Sequence, residues 1–220
     1  MKPEAILFDA GGTLVLQDPA ALSEVLGHPI EFDTLFEAHY RAMDAYARRR
    51  AAGEELGWIW WQDLFFRGVG LSEPRRGAEL TNNGFGFWNR AIEHTAEAVR
   101  ELSAMGVRVA VVSNSDGSVR ESLIRAGFAG LFEFVVDSHE VGLAKPDPGI
   151  FHHALARMGV APDRTWYVGD SLFHDIGGAA AAGLAAGILV DPLNLAPEQR
   201  PRVGSVRDLP AMVGRRRSAP

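Results

Sequence analysis

From Glu93 onward the chain alternates short apolar runs with amphipathic stretches, and few folds accept that rhythm. VRVAVVSN (Val107–Asn114) is almost continuously apolar, the mark of a strand buried on both faces. AEAVRELSAMG, before it, has helical spacing at Val99, Leu102 and Met105, with Gly106 as a stop. SDGSVRESLIRAG reads as a helix opened by Ser or Asp and ended by Gly127. FEFVVDS is a strand, DPGIFHHALARMG a helix with Pro148 in its first turn, and TWYVGDS a strand. HDIGGAAAAG is a small-residue helix and LAAGILVD a strand. Such alternation predicts parallel β-α units in an α/β, Rossmann-like doubly wound sheet. A further strand opens the chain in ILFDAGGTLV (Ile6–Val15).

The stretch from Gln17 to Ile92 breaks the rhythm. FDTLFEAHYRAMDAYARRRAAG is helical, with apolar positions at Leu35, Phe36, Tyr40, Met43 and Tyr46. GWIWWQDLFFRGVG is too aromatic all round for an exposed helix. Residues 17–92 are therefore expected to form a helical cap, inserted into a core of residues 1–16 and 93–220. Trp58, Trp60 and Trp61 are expected to pack within the cap; the other reading has them face a cleft.

Ligands of such sheets bind at the carboxyl ends of the strands. Asp9 ends the first strand, Ser113 and Asn114 the second, and Asp170 the fourth, with Asp175 close behind. Lys145 lies just past the third strand, and Lys2 is the chain's other lysine. Singly, each has an ordinary reading. Ser113–Asn114 and Asp170 suit helix caps, Asp175 suits a first helical turn, and Lys145 suits a solvated loop. Together on one rim they make a site whose carboxylates suit a hard cation such as Mg²⁺.

The stretches FDAGGTL, VVSNSDG, VGLAKPDPGIF and YVGDSLFHDIGGAAAAG resemble the four motifs of the haloacid dehalogenase-like (HAD) superfamily. The similarity is to the branch with a helical cap after the first strand, and it runs from Ala5 to about Pro192. It implies that Asp9 is a nucleophile forming an aspartyl-phosphate. It assigns Mg²⁺ to Asp9, the Gly11 carbonyl and Asp170, with Asp175 beside them. Gly12 and Thr13 would form the turn that phosphate approaches. Ser113, the Asn114 N–H and Lys145 would bind phosphate oxygens, with Lys145 also pairing with Asp9. On this resemblance Asp9, Ser113 and Lys145 would be the catalytic set.

One position departs from the pattern. Phosphatases of the family carry a second Asp two residues after the nucleophile, as general acid and base. Here that residue is Gly11. Such help is typically worth about 10²–10⁴-fold, so fast turnover of alkyl phosphates is in question, and Gly11→Asp is expected to raise it. The metal is spared, because a main-chain carbonyl needs no side chain. The resemblance also admits a 2-haloacid dehalogenase, with Arg41 cradling halide, and a catalytically weak phosphate- or metabolite-binding module. A Schiff-base route fails, because no lysine lies between Lys2 and Lys145. His152 and His153 are expected to be structural or solvated, and nothing places His39 or His94 in the cleft.

Composition excludes other classes. The net charge of −6 argues against nucleic acid as a partner, and the basic tail GRRRSAP is expected to be a solvated end. The chain has no cysteine, which removes disulfides and thiolate chemistry. No apolar run reaches the roughly 18 residues of a membrane span, and no leader pattern follows Met1, so a cytoplasmic location is expected. The expected partner is a small phosphorylated metabolite. Aromatic exposure in the cap is compatible with a homodimer patch.

Overall fold

The computed structural model describes residues 2–81 and 87–214, apart from the side chains of residues 80 and 81. The tail arginines 215–217, and the part of the expected cap at 82–86, lie outside the described residues. The chain opens with β1 (Ala5–Phe8) and a two-residue β2 (Val15–Leu16). Helices α1 (Pro19–Leu26), α2 (Phe32–Ala51), α3 (Trp58–Gly68) and α4 (Pro74–Thr81) follow, then β3 (Arg90–Ala91). The rest runs α5 (Thr95–Ala104), β4 (Arg108–Ser113), α6 (Val119–Leu123), β5 (Val135–Asp137), α7 (Ser138–Val141) and α8 (Pro148–Met158). It ends with β6 (Thr165–Gly169), α9 (Gly178–Ala181), β7 (Ala186–Val190), β8 (Arg202–Val203) and α10 (Leu209–Gly214).

Six strands form one parallel sheet in the order β5-β4-β1-β6-β7-β8. The period of two in β1 divides its side chains. Ile6 and Phe8 pack on one face with Val99 and Leu102 of α5 and Val119 and Leu123 of α6. Ala5 and Leu7 face the other way, onto Ile150, Phe151, Ala154 and Leu155 of α8. Both faces are covered, which is why β4 reads as a nearly unbroken apolar run. The strand order reverses around β1, which lies between β4 and β6. That reversal opens a crevice at the carboxyl edge.

The inserted helices have their own core. In α2, Leu35, Ala38, His39, Ala42, Met43 and Tyr46 are buried at spacings of three and four. They meet Trp61, Phe65 and Phe66 of α3. Burial of side chains such as Leu35 or Phe65 contributes about 1.5–3 kcal/mol each, and Phe65→Ala would cost about 3–5 kcal/mol. Asp33 in the first turn of α2 and Arg48, Arg49 and Arg50 in its last complement the helix dipole. Arg48 also reaches the core, donating to Glu198 (3.0 Å) and to the Leu195 carbonyl (2.9 Å).

β2 and β3 pair antiparallel where the chain leaves the sheet region and returns to it. The ribbon continues through Ile92 N–H to the Leu14 carbonyl (2.9 Å) and Asp18 N–H to the Phe87 carbonyl (2.8 Å). Among the described residues no helix is long and apolar enough to cross a membrane.

Candidate active site

Asp9 directly follows β1, and its N–H donates to the Val168 carbonyl of β6 (2.8 Å). Ser113 is the last residue of β4 and Asp170 the first after β6, so both flank Asp9 on neighbouring strands. After Asp170 the chain makes a wide π-helical turn, Leu172–Gly177, that carries Asp175 back beneath the strand end. There Asp175 Oδ2 accepts from the Ser171 N–H (2.9 Å). Gly169 is required at this point, since a Cβ would collide with the Asp175 carboxylate.

Lys145 approaches from the loop before α8. Asn114 fixes that loop: its Oδ1 accepts from the Lys145 N–H (2.8 Å) and its Nδ2 donates to the Lys145 carbonyl (2.9 Å). The Lys145 Nζ lies 2.7 Å from Asp9 Oδ1, 2.7 Å from Asp175 Oδ1 and 2.8 Å from the Tyr167 hydroxyl. An ammonium has three protons, and each has an acceptor here. Tyr167 donates onward to the Val112 carbonyl (2.7 Å), which fixes its lone pairs toward the lysine.

Charge in this cluster is unbalanced. Asp9, Asp170 and Asp175 all lie buried around one lysine. Burial pushes each carboxyl above its ordinary range; Lys145 opposes this at Asp9 and Asp175, His39 chiefly at Asp170, and the neighbouring acids add to it. Burial alone would discharge Lys145, but Asp175 and Asp9 more than offset that and raise its affinity for the proton. Carboxylate oxygens of the three acids lie within 4.8 Å of one another. Asp170 Oδ1 is buried and has no partner among the described residues. Hard oxygen donors, excess negative charge and an unpaired buried oxygen fit a cation such as Mg²⁺.

The insertion reaches into this cluster. His39 of α2 is fully buried, and its Nε2 lies 2.7 Å from Asp170 Oδ2. The adjacent Tyr40 donates its hydroxyl to the Gly12 carbonyl (2.7 Å). The Tyr40 contact falls on the turn after β1, and the His39–Asp170 pair packs against the same turn at Gly12. Gly12 has φ +70°, and a Cβ there would collide with Asp170 Oδ2 and His39 Nε2. Gly12 is therefore covered, and its N–H is used by the Val15 carbonyl (2.8 Å). Thr13 is fully buried and lines a separate small cavity with His94.

Asp9, Gly11, Ser113, Asn114, Lys145, Asp170 and Asp175 converge on one cleft of about 490 Å³. Gly12 and Thr13 do not line it. Leu22, Met43, Tyr46, Trp58, Trp61 and Phe65 form its wall from the insertion. Trp61 satisfies both sequence readings, since it is 2% exposed, packs in the insertion core and still faces the cleft. Trp58, at 43% exposure, stands at the mouth, and Trp60 packs at the edge of that core. Trp88 lies against Gly11, where an added Cβ would come within 2.9 Å of its ring.

Arg41 points away from the cleft. It is exposed, pairs with Glu37 (3.0 Å) and lines an outer groove of the insertion. His152 lies 3.1 Å from the Ala182 carbonyl, outside the cleft. His174 lines the cleft and stacks on Tyr46, with ring centroids 5.7 Å apart. Burial, with Lys145 and Arg50 adding, lowers its pKa to about 3. Sequence reasoning missed His39, Tyr167, Trp88 and His174. For His39 alone was there a signal, its place on the buried stripe of α2.

A parallel sheet with acids and a lysine at its carboxyl edge, roofed by inserted helices, is the arrangement of a hydrolase core whose acids are able to hold a cation. The chain belongs to the haloacid dehalogenase-like hydrolase family, whose model matches residues 3–183. It is 31% identical over 194 residues to a glyceraldehyde 3-phosphate phosphatase of Methanopyrus kandleri, covering 82% of this chain and 81% of that one. In other alignments the chain spans only 45–64% of the length of four curated relatives. The fold is shared with the putative HAD-hydrolase YfnB of Bacillus subtilis, solved bound to magnesium (TM-score 0.68, 18% identity, 98% and 100% of the two chains). It is shared equally with the L-2-haloacid dehalogenase RSc1362 (TM-score 0.66, 21% identity, 98% and 100%).

Proposed function

We propose that this protein is a Mg²⁺-dependent phosphatase that hydrolyses a small phosphorylated metabolite through an aspartyl-phosphate on Asp9. The observation that carries the reading is the Lys145 ammonium, 2.7 Å from Asp9 Oδ1, beside three converging carboxylates. A metal-free halide displacement has no use for so much buried negative charge. The phosphatase relative that covers most of this chain supports the same choice.

Asp9, Asp170, Asp175 and the Gly11 carbonyl are the groups that would hold Mg²⁺. When bound, the ion supplies positive charge against the phosphate oxygens. Lys145 holds one oxygen of Asp9 and leaves the other to attack phosphorus. The Ser113 hydroxyl and the Asn114 N–H bind phosphate oxygens, and Lys145 stabilises the charge that builds there. The Asn114 side chain positions Lys145. Gly12 and Thr13, which lie outside the lining of the cleft, shape the turn after β1. Gly11 leaves the usual acid–base position without a side chain.

A panel of acyl phosphates, phosphate esters and 2-haloacids, each with Mg²⁺ and with EDTA, tests this. Phosphate release is expected with Mg²⁺, and its loss with EDTA and in Asp9→Asn. Halide release in EDTA would overturn the reading in favour of a dehalogenase. Phosphate binding without turnover of any ester or acyl phosphate would reduce it to a binding module.

A further inference from the structure

The cleft has two unlike halves. Its floor carries all the charge. Its roof holds a ladder of parallel rings: Trp58 on Trp61 (centroids 4.5 Å apart, planes at 12°) and Trp61 on Phe65 (5.0 Å, 7°). Among the described residues lining the cleft, Lys145 and His174 are the basic ones. Lys145 is engaged by Asp9 and Asp175, and the His174 ring stacks on Tyr46 with its Nδ1 3.3 Å from Ser171 Oγ. Among the described residues, a second anionic group on a substrate therefore finds no lysine or arginine in the cleft beyond the phosphate subsite. A flat, uncharged ring finds aromatic surface, which recognises rings by stacking and edge contacts.

A second observation concerns the leaving group. Gly11 carries no acid, and Trp88 packs where a side chain would go. The departing oxygen is therefore not protonated from the usual position. An aliphatic alkoxide is about as basic as hydroxide, far above the range of any phenol. A phenolate, like that of tyrosine, has a conjugate acid near pKa 10. The phenolate leaves far more readily without a proton.

Resting on the phosphatase reading, we infer that the substrate is a phosphate monoester of an uncharged aromatic alcohol, with the ester oxygen on the ring. Asp9 forms the new P–O bond as the bond to the aryl oxygen breaks. The phenolate departs with the bonding pair and takes its proton from solvent. Water then adds to phosphorus and the Asp9 carboxylate leaves; one of the water's protons stays on the released phosphate and the other returns to solvent, replacing the one the phenolate took. The sum is ester plus water giving phenol and hydrogen phosphate.

The test measures kcat/KM with Mg²⁺ for 1-naphthyl phosphate, phenyl phosphate, 2-phenylethyl phosphate, a nucleoside 5′-monophosphate and acetyl phosphate. Phenyl phosphate is expected to exceed 2-phenylethyl phosphate by about 10²-fold or more, the scale of general-acid help. Naphthyl phosphate is expected to exceed phenyl phosphate by about tenfold, as a stacked second ring would give. Trp58→Ala, at the exposed mouth, is expected to lower the naphthyl-to-acetyl ratio by about tenfold, and Trp58→Phe to retain most of it. Turnover of acetyl phosphate with no aryl preference, or nucleotide turnover matching the aryl esters, overturns this inference and leaves the phosphatase reading standing. No turnover of any compound, acetyl phosphate included, overturns both.

Discussion

His39 Nε2 lies 2.7 Å from Asp170 Oδ2, so a helix of the insertion holds one oxygen of a carboxylate at the edge of the core sheet. The residues are 131 positions apart, and both are buried. With Tyr40 on the Gly12 carbonyl, this contact ties the position of α2 to the geometry of the acid cluster.

Groups that orient a metal-binding carboxylate typically change metal affinity by about 10–100-fold when lost. His39→Ala is expected to weaken Mg²⁺ binding by at least about tenfold in titration calorimetry, and His39→Gln, which keeps a donor, to recover part of it. Equal affinity in all three proteins would reduce the contact to packing.

Trp88 alters the outcome expected for Gly11→Asp from sequence. The Cβ at position 11 would meet the indole ring at 2.9 Å, so the ring must move before the acid fits. The single variant is expected to lower the melting temperature without gaining alkyl-phosphatase rate. Gly11→Asp combined with Trp88→Ala is expected to raise turnover of 2-phenylethyl phosphate by about 10²-fold. A full gain in the single variant would show that the ring yields freely.

Lys145→Met would leave Asp9 and Asp175 buried without their shared cation. Breaking such a pair costs about 3–5 kcal/mol, readable by urea unfolding of the metal-free protein at pH 8. Both carboxyls sit above their ordinary range, so they take up protons on acidification. The loss is expected to shrink at pH 5. A loss independent of pH would mean that the acids stay ionised.

His174 supplies a pH signature of its own. It titrates at about 3 when folded and at about 6.5 when unfolded. Between those values only the unfolded chain holds the proton, so stability rises with pH through the window. From pH 7 to pH 5 the metal-free protein is expected to lose about 2 kcal/mol more than His174→Gln. The raised carboxyls act with the opposite sign and cancel in the comparison. Parallel pH curves for the two proteins would show that the folded imidazole takes up its proton.

The parallel sheet was legible because β4, β6 and β7 are buried on both faces and declare it in their composition. The rim was legible because polar residues ending buried strands are conspicuous, and Lys145 more so in a chain with two lysines. The partners of those residues were not. The period of α2 says that His39 faces inward, but not that Asp170 waits there. Tyr167 reads as one more buried strand aromatic until its hydroxyl is seen bridging Lys145 and Val112. Trp88 lies in an irregular segment where no periodicity operates. β2, β3 and β8 are two residues each, too short for a pattern.

The two-residue ribbon of Val15–Leu16 on Ala91–Arg90 brings the ends of the helical segment side by side. A loop anchored in this way can be exchanged as a cassette. Its replacement must match two neighbouring strand ends and also supply the contacts that His39 and Tyr40 make with Asp170 and Gly12. Insertion and sheet are thus joined covalently at one doorway and noncovalently through His39, Tyr40 and Arg48.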